Sequence, residues 1–319
     1  MKKIYCMVIM FAALQTAAFA EESTKDFSII PILGYEYLMF DGQKIHSANE
    51  GIIFTKGNMM PTLSEERNSL MIGGVFQQFF ISEVREGYED IYHKIELMAD
   101  RKIKRHLFLG LLSSEAAQPI YGGLHTFAGG LGYGYELIRN ENVSLTLGGI
   151  LVVTDTGLEL SDGMVLPVAP LPVIRFDAQT SLFNISFEFL KNIKVGFTFL
   201  PESKIRLTGY LFANPFMLRS IDDLLFDTTL WYRFFSKDSN MGDFAGFGLG
   251  FKNHGFGFAL SEKGKYYEAY YHSAYGILDL SFLKLSAGYA FNSREIYDVN
   301  IKNNIGNGFF VNAMLAWQF

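Results

Sequence analysis

The last twelve residues of the chain alternate between two kinds of side chain, and this alternation limits the possible folds more than any other feature. One set of alternate positions is apolar and aromatic: Phe309, Val311, Ala313, Leu315, Trp317 and Phe319. The other set is smaller and more polar: Gly308, Phe310, Asn312, Met314, Ala316 and Gln318. Successive side chains of a β-strand point to opposite faces of the sheet. The stretch therefore predicts a strand with one strongly apolar face.

This predicted strand also carries a family resemblance. A final strand that ends on Phe319, with Trp317 two residues earlier, resembles the terminal signal of bacterial outer-membrane β-barrel proteins. The resemblance implies a barrel-assembly signal, together with the barrel-assembly machinery and periplasmic chaperones as partners. The residues of that signal would be Phe309, Val311, Leu315, Trp317 and Phe319. The stretches Pro170–Pro172 and Phe199–Ser203 are weakly similar to uncharacterised outer-membrane barrel families, which defines no subfamily and implies no activity.

The N-terminal residues have the organisation of a secretory signal peptide. Two lysines precede an apolar stretch over residues 4–14 and the small-residue site Ala18-Phe19-Ala20. A charged start, a short apolar region and an A-x-A site predict export and cleavage after Ala20. We therefore expect residues 1–20 to be a signal peptide and residues 21–319 to form a single outer-membrane β-barrel domain.

Composition narrows the fold class and the partners. Hydrophobic residues make up 49% of the chain, yet no stretch after residue 20 offers the roughly 18 consecutive apolar residues of a membrane-spanning helix. The other structure that satisfies every backbone hydrogen bond in lipid is a closed barrel. Removing Lys2 and Lys3 from the 27 basic residues, against 33 acidic ones, leaves a charge of −8 that argues against nucleic acid as a partner. Six His without ligand spacing, and a single cysteine at position 6, predict no metal site and no cofactor.

Alternating runs along the rest of the chain predict an all-β fold. We expect a transmembrane, antiparallel, up-and-down β-barrel of about 14 strands, with 12 as the close alternative. The clearest hairpin joins the runs Thr126–Leu137 and Val143–Val153 through the polar turn Arg139–Asn142. Long polar stretches predict external loops at Asp41–Asn68, Thr154–Pro170 and Glu295–Asn307.

Three stretches are less clear than this hairpin. Glu89–Ser113 can be one long strand or two strands around a basic turn. We expect Pro172–Leu190 to form one strand, and a turn at Lys252–His254 to separate two short strands.

Charged residues opposite the predicted apolar faces are candidates for the lining of the lumen, because an Arg or Lys facing lipid near the midplane costs about 2–4 kcal/mol. These candidates are Glu188, Lys194, Lys204, Arg206, Asp227, Arg233 and Lys284. They can line an aqueous pore and bias its selectivity, or they can pair with one another and fill the lumen. A barrel of about 14 strands is wider than its side chains alone fill, which predicts an open or loop-plugged interior.

The sequence thus favours a porin-like or small-molecule transport channel in the bacterial outer membrane, surrounded by lipid and lipopolysaccharide, over an enzyme. One alternative is a lipid- or lipopolysaccharide-modifying enzyme that uses His272 and Ser273. Adjacent residues of a strand point to opposite faces, which argues against this pair as a catalytic unit. The other alternative is a surface adhesin or structural barrel with a filled lumen that acts through the three predicted loops. No residue identifies a solute or an oligomeric state.

Overall fold

The structure is a computed structural model that describes most of the chain after residue 26. The described residues are 27–56, 67–117, 126–159, 165–190, 192–213, 224–234, 245–260, 265–280, 282–297 and 301–317. The predicted signal peptide (residues 1–20) and Phe319 lie outside this part of the chain. In the part that is described, the structure contains no helix with the length and apolar character needed to cross a membrane.

The described residues form sixteen strands. They are β1 (Phe27–Phe40), β2 (Lys44–Lys56), β3 (Arg67–Ile81), β4 (Ile91–Lys104), β5 (His106–Ala116), β6 (Phe127–Arg139), β7 (Val143–Glu159), β8 (Val165–Gln179), β9 (Phe183–Phe189), β10 (Ile193–Phe199), β11 (Ile205–Ala213), β12 (Leu225–Arg233), β13 (Ala245–Ala259), β14 (Tyr266–Leu280), β15 (Leu283–Tyr297) and β16 (Ile301–Ala316). Each strand pairs with its sequence neighbours, and β1 pairs with β16 to close the barrel. The all-β, antiparallel, closed-barrel prediction is confirmed. We call the end where β1 begins and β16 ends the terminal end, and the opposite end the distal end.

The outer face of the barrel is apolar, as the sequence pattern predicts. On β6 the exposed side chains are Leu131, Tyr133, Tyr135 and Leu137, and Leu131 is 77% exposed. On β16, Phe309 and Val311 face outward, whereas Phe310 is buried on the inner face. The predicted faces of the hairpin and of the closing strand are therefore confirmed over their described residues. Glu50 is an exception, because its register with Leu33 and Phe76 puts it on this outer face.

The predicted number of strands, 14 with 12 as the alternative, is wrong: the described residues contain sixteen. The largest difference lies in Asp41–Asn68, where we expected a loop. β2 lies within that stretch and pairs with β1 from Lys44 to Lys56. Its polar side chains suggest a loop. Pairing with β1 and β3 nevertheless satisfies the hydrogen bonds of its backbone, whatever the polarity of its side chains.

Other strand boundaries that were uncertain or wrongly predicted are fixed by the structure. Glu89–Ser113 contains two strands around a turn at Arg105, which was one of the two expectations. Pro172–Leu190 holds the end of β8 and all of β9 rather than one strand, and Lys252–His254 lies inside β13 rather than in a turn. The expected loops at Thr154–Pro170 and Glu295–Asn307 are largely strand, because β7, β8, β15 and β16 extend into them.

Aromatic side chains fill one side of the interior near the distal end. Phe258 on β13 contacts Phe79 on β3 and Tyr92 on β4, with ring centroids 4.8 Å apart in both pairs. Tyr92 also stacks on Tyr267 of β14 at 5.4 Å. Five strands separate β3 from β13 along the sheet, so these contacts cross the interior. We call Phe79, Tyr92, Phe258, Tyr267 and Tyr297 the aromatic cluster; all five are buried.

The opposite walls of the barrel even touch at this end. Ala259 of β13 pairs with Ala116 of β5 in a parallel bridge, although β5 and β13 are not neighbours in the barrel order. The contact and the aromatic cluster together flatten the cross-section. The walls β1–β4 and β13–β16 enclose a filled side, whereas β8–β12 line the other side.

Candidate functional site

A cavity of about 390 Å³ lies against the inner face of β8–β12, with Tyr275 and Ile277 of β14 on its border. The strand register explains its polar lining. Asp177, Ser186, Gly196, Tyr210 and Asp227 are partners across β8, β9, β10, β11 and β12, so their positions share one face. A second row on the same face contributes Asn184, Thr198, Thr208 and Thr229. We call this space the lateral cavity.

A tyrosine crosses from β14 to hold one carboxylate of the lateral cavity. The hydroxyl of Tyr275 donates a hydrogen bond to Oδ1 of Asp227 and lies 2.7 Å from Oγ1 of Thr229. Gly250 of β13 lies between these strands, in register with both Thr229 and Tyr275. A Cβ atom at Gly250 would collide with the ring of Tyr275. The glycine therefore lets the ring lie across β13 and reach Asp227 on β12.

Trp231 is fixed at the terminal-end side of the lateral cavity. Its Nε1–H donates to Oγ1 of Thr208, 2.9 Å away. The indole is buried, whereas Tyr210 is 48% exposed on the same inner face. Aromatic side chains thus border the cavity in two ways, since Trp231 forms part of its wall and Tyr210 projects into the open interior.

Basic side chains near the lateral cavity are matched by carboxylates. Arg175 of β8 pairs with Asp100 of β4 at 2.6 Å and with Glu188 of β9 at 2.9 Å. Lys194 of β10 pairs with Glu188 at 3.4 Å. Because β4 and β8 are separated by three strands, the pair between Arg175 and Asp100 spans the inner surface of the wall.

A lysine on the filled side is held by a carboxylate and three rings. Nζ of Lys252 lies 3.8 Å from Oε1 of Glu36, an ion-pair distance. It also lies over Phe310 at 4.4 Å and over Tyr271 and Tyr275 at 5.7 Å from each ring centroid. Such cation–π contacts stabilise a cation that has lost part of its water. Tyr275 therefore lies beside the ammonium group of Lys252 and also donates a hydrogen bond to the carboxylate of Asp227.

The candidates for the lumen lining fall mostly on one face. The register places Glu188, Lys194, Arg206, Asp227, Arg233 and Lys284 on the inner face, which carries the contacts across the interior. Lys204 lies in the turn before β11, at the terminal end.

The structure brings few of these candidates into direct contact with one another. It pairs Glu188 with Lys194. Lys284 pairs instead with Asp279 at 3.3 Å, and Nη2 of Arg233 donates to the carbonyl of Pro201 at 2.8 Å.

Sequence reasoning missed several charged residues of the inner face. Lys102 pairs with Glu136 at 2.7 Å, and Arg139 contacts the same carboxylate. Lys94 pairs with Glu96 at 3.1 Å and with Glu115 at 2.9 Å. The alternation of the strands could have placed these residues, but their partners depend on how the strands align.

The proposed catalytic pair does not form in this structure. Ser273 is buried on the inner face, in register with Lys252. His272 faces the other way and packs between Phe251 and Phe291, at centroid distances of 6.2 and 6.0 Å. Among the described residues there is also no group of three or more His, Cys, Asp and Glu side chains that could hold a metal ion.

A closed antiparallel barrel with an apolar exterior and a polar interior is the architecture of bacterial outer-membrane β-barrel proteins. The described residues of the chain have this architecture, and no particular subfamily is defined. No protein-family model matches the chain, and no curated protein matches it.

Several solved structures of outer-membrane proteins are similar to the chain in architecture. A double mutant of the Rh. blastica porin has 10% identity and a TM-score of 0.40, covering 91% of this chain and 99% of the porin. OccAB4 of Acinetobacter baumannii has 10% identity and a TM-score of 0.36, over 93% and 99% of the two chains. A bacterial polysaccharide outer membrane secretin has 9% identity and a TM-score of 0.41, over 93% and 100%. At these identities the likeness extends to the barrel architecture alone.

Proposed function

We propose that the chain is a porin-like channel of the bacterial outer membrane, and that solutes cross it along the lateral cavity. The observation that carries this proposal is a polar, partly exposed cavity on the inner face of a barrel whose outer face is apolar. Barrels of 16–18 strands can leave an aqueous channel because the diameter grows with the number of strands. Here the aromatic cluster fills one side, so the path follows the wall β8–β12.

The exposed apolar side chains of the outer face support a location in the outer membrane. Leu131, Leu151 and Leu249 are each more than half exposed on the outer face, where water would make them costly and lipid would not. We expect outer-membrane lipids and lipopolysaccharide to be the surroundings of this face.

The test is single-channel recording from refolded residues 21–319 in a planar bilayer. We expect discrete current steps, because polar side chains line the lateral cavity and Tyr210 on its border is 48% exposed. Folding is checked separately by the difference in gel mobility between unheated and boiled samples. A folded barrel that shows no steps over many insertions would overturn the proposal.

A matched pair of tyrosines tests where the current flows. Tyr210 is 48% exposed on the inner face, and Tyr232 is 51% exposed on the outer face of the adjacent strand. Tyr210→Ala should increase the conductance because it widens the lateral cavity. Tyr232→Ala should leave the conductance unchanged, because that ring lies outside the barrel.

A further inference from the structure

We propose that the outer face of the barrel binds the headgroup of an anionic phospholipid between Lys56 and Arg101, at the terminal end. The inference goes beyond the proposed channel function. It does not depend on conduction, because this site faces lipid whereas the path for solutes lies inside the barrel.

The two basic residues belong to a row of residues that crosses the outer face of β1–β6. In register from strand to strand, the row consists of Phe27, Lys56, Leu70, Arg101, Phe108 and Tyr133. Residues in register share a face of the sheet. Phe108 is 46% exposed, whereas its neighbours Leu107 and Leu109 are buried on the inner face. The whole row therefore faces outward, and we call it the rim row.

Lys56 and Arg101 make no polar contact within the part of the chain that the structure describes. No hydrogen bond or ion pair joins either side chain to another residue of that part. The residues on either side of Arg101, Asp100 and Lys102, face inward and have partners there. On β2 the outward carboxylate is that of Glu50, six residues from Lys56, which at about 3.3 Å per residue is roughly 20 Å. Positive charge on a face that contacts lipid is costly unless an anion outside the chain matches it.

The spacing of the two basic residues suits a single phosphate group. Neighbouring strands lie about 4.8 Å apart, so the backbones at Lys56 and Arg101, which β3 alone separates, lie roughly 10 Å apart. Leu70 lies between them, and both long side chains can reach over it to the same anion. A guanidinium group binds phosphate through two parallel hydrogen bonds, and an ammonium group adds a point charge.

The surroundings of the rim row suit a lipid better than a free phosphate ion. Tyr133 in this row lies within hydrogen-bonding distance of His106, with its hydroxyl 2.8 Å from Nδ1. Aromatic girdles of transmembrane barrels lie at the level of the lipid headgroups. Toward the distal end the outer face continues with apolar side chains, and Ile72 and Leu97 are each 47% exposed. The acyl chains of a lipid bound at the rim row would lie against these side chains.

The end of the barrel at which the rim row lies determines the kind of lipid. We place the terminal end on the periplasmic side, because the predicted signal peptide precedes β1 and sixteen strands put the end of β16 on the same side as the start of β1. Phospholipids form the periplasmic leaflet of the outer membrane, whereas lipopolysaccharide lies in the outer leaflet. The ligand is therefore a phospholipid with a net negative headgroup, of which phosphatidylglycerol is the probe.

The experiment measures lipid retention by native mass spectrometry of folded residues 21–319. The barrel is released from detergent in the presence of equal amounts of phosphatidylglycerol and phosphatidylcholine with the same acyl chains, and the ratio of the two bound lipids is measured. The difference in gel mobility between unheated and boiled samples checks the folding of each variant. In a second competition, lipopolysaccharide is added to the barrel that holds phosphatidylglycerol.

We expect phosphatidylglycerol to be retained in preference to phosphatidylcholine. Lys56→Gln and Arg101→Gln should each lower the ratio about fivefold, because a basic residue near an anionic lipid surface contributes about 1 kcal/mol. The double variant should lower it about 25-fold if the two contributions add. Arg101→Lys keeps the charge and should retain most of the preference. Lys44→Gln is the matched control, because Lys44 lies on the same face of β2 at the distal end, and it should leave the ratio unchanged.

Equal retention of the two phospholipids, an unchanged ratio in the double variant, or an equal loss in Lys44→Gln would overturn the inference. Lipopolysaccharide that displaces phosphatidylglycerol from the wild-type barrel but does not bind the double variant would overturn the choice of lipid.

The failure of this inference can be told apart from the failure of the proposed function. Current steps without selective lipid retention would refute the lipid site and leave the channel standing. Selective retention without current steps would refute the channel and leave the lipid site standing.

Discussion

The contacts of the aromatic cluster allow a quantitative prediction of the energetic coupling between the two walls that meet across the interior. Phe258 is 2% exposed and packs on Phe79, which lies on the opposite wall at a centroid distance of 4.8 Å. Replacing a buried Phe by Ala typically costs 3–5 kcal/mol, because transfer and cavity terms add. We therefore expect Phe258→Ala to lower the free energy of unfolding by about 3–5 kcal/mol.

A double-mutant cycle isolates the contact itself. Aromatic pairs contribute about 0.5–1.5 kcal/mol beyond their buried area. The variants Phe79→Ala and Phe258→Ala should therefore cost less together than the sum of their separate effects, with a coupling energy of about that size. The assay is urea unfolding of the barrel in lipid vesicles, followed by fluorescence.

Phe247 supplies the control because it lies on the same strand as Phe258 but faces outward. Phe247→Ala and Phe79→Ala should be additive to within about 0.3–0.5 kcal/mol, since the two rings share no contact. Additive costs for Phe79 and Phe258 as well would refute the reasoning, because they would mean that the two walls do not meet.

Three further predictions concern the walls. Glu136→Gln should lower the free energy of unfolding by about 3–5 kcal/mol, because it removes the buried carboxylate that pairs with both Lys102 and Arg139; Glu141→Gln, in the exposed turn after β6, should leave the free energy of unfolding unchanged in the same urea assay, and equal costs for the two variants would contradict this role. Gly250→Val should displace the ring of Tyr275 and break its hydrogen bond to Asp227, which should lower the free energy of unfolding by about 1–3 kcal/mol in the same assay, and an unchanged value would contradict the role given to the glycine. Leu131→Arg should lower the free energy of unfolding in vesicles by about 2–4 kcal/mol, because it exposes a charge to lipid. A negligible change would show that this face does not contact lipid.

The parts of the fold that the sequence predicts are those with clean alternation. The faces of the closing strand and of the hairpin β6–β7 follow from one apolar set per strand, and the structure confirms them. β2 escaped prediction because its inner and outer positions both carry polar residues, so periodicity alone could not find it. Its thirteen residues are a strand because β1 and β3 pair with them.

A run of polar residues need not mark a turn in a barrel with a polar inner face. Lys252, Asn253 and His254 suggest a solvated turn in a soluble protein, yet here they continue β13. The inner face supplies partners that a sequence does not show, such as Glu36 for Lys252 and the ring of Tyr271 for His254.

The lateral cavity could likewise be predicted only in part. Alternation along the strands predicts that Asp227 and Glu188 point inward. The contact of Tyr275 with Asp227 across Gly250 depends on the register of three strands, which the sequence does not show.

The central claim is that a water-filled path runs along the wall β8–β12, and thiol accessibility tests it most directly. Residues 21–319 contain no cysteine, so Tyr210→Cys introduces a single thiol on the inner face. A cationic methanethiosulfonate reagent should reach this thiol and reduce the single-channel current, whereas Tyr232→Cys on the outer face should give no change. An unaltered current after complete labelling of Tyr210→Cys would contradict the account.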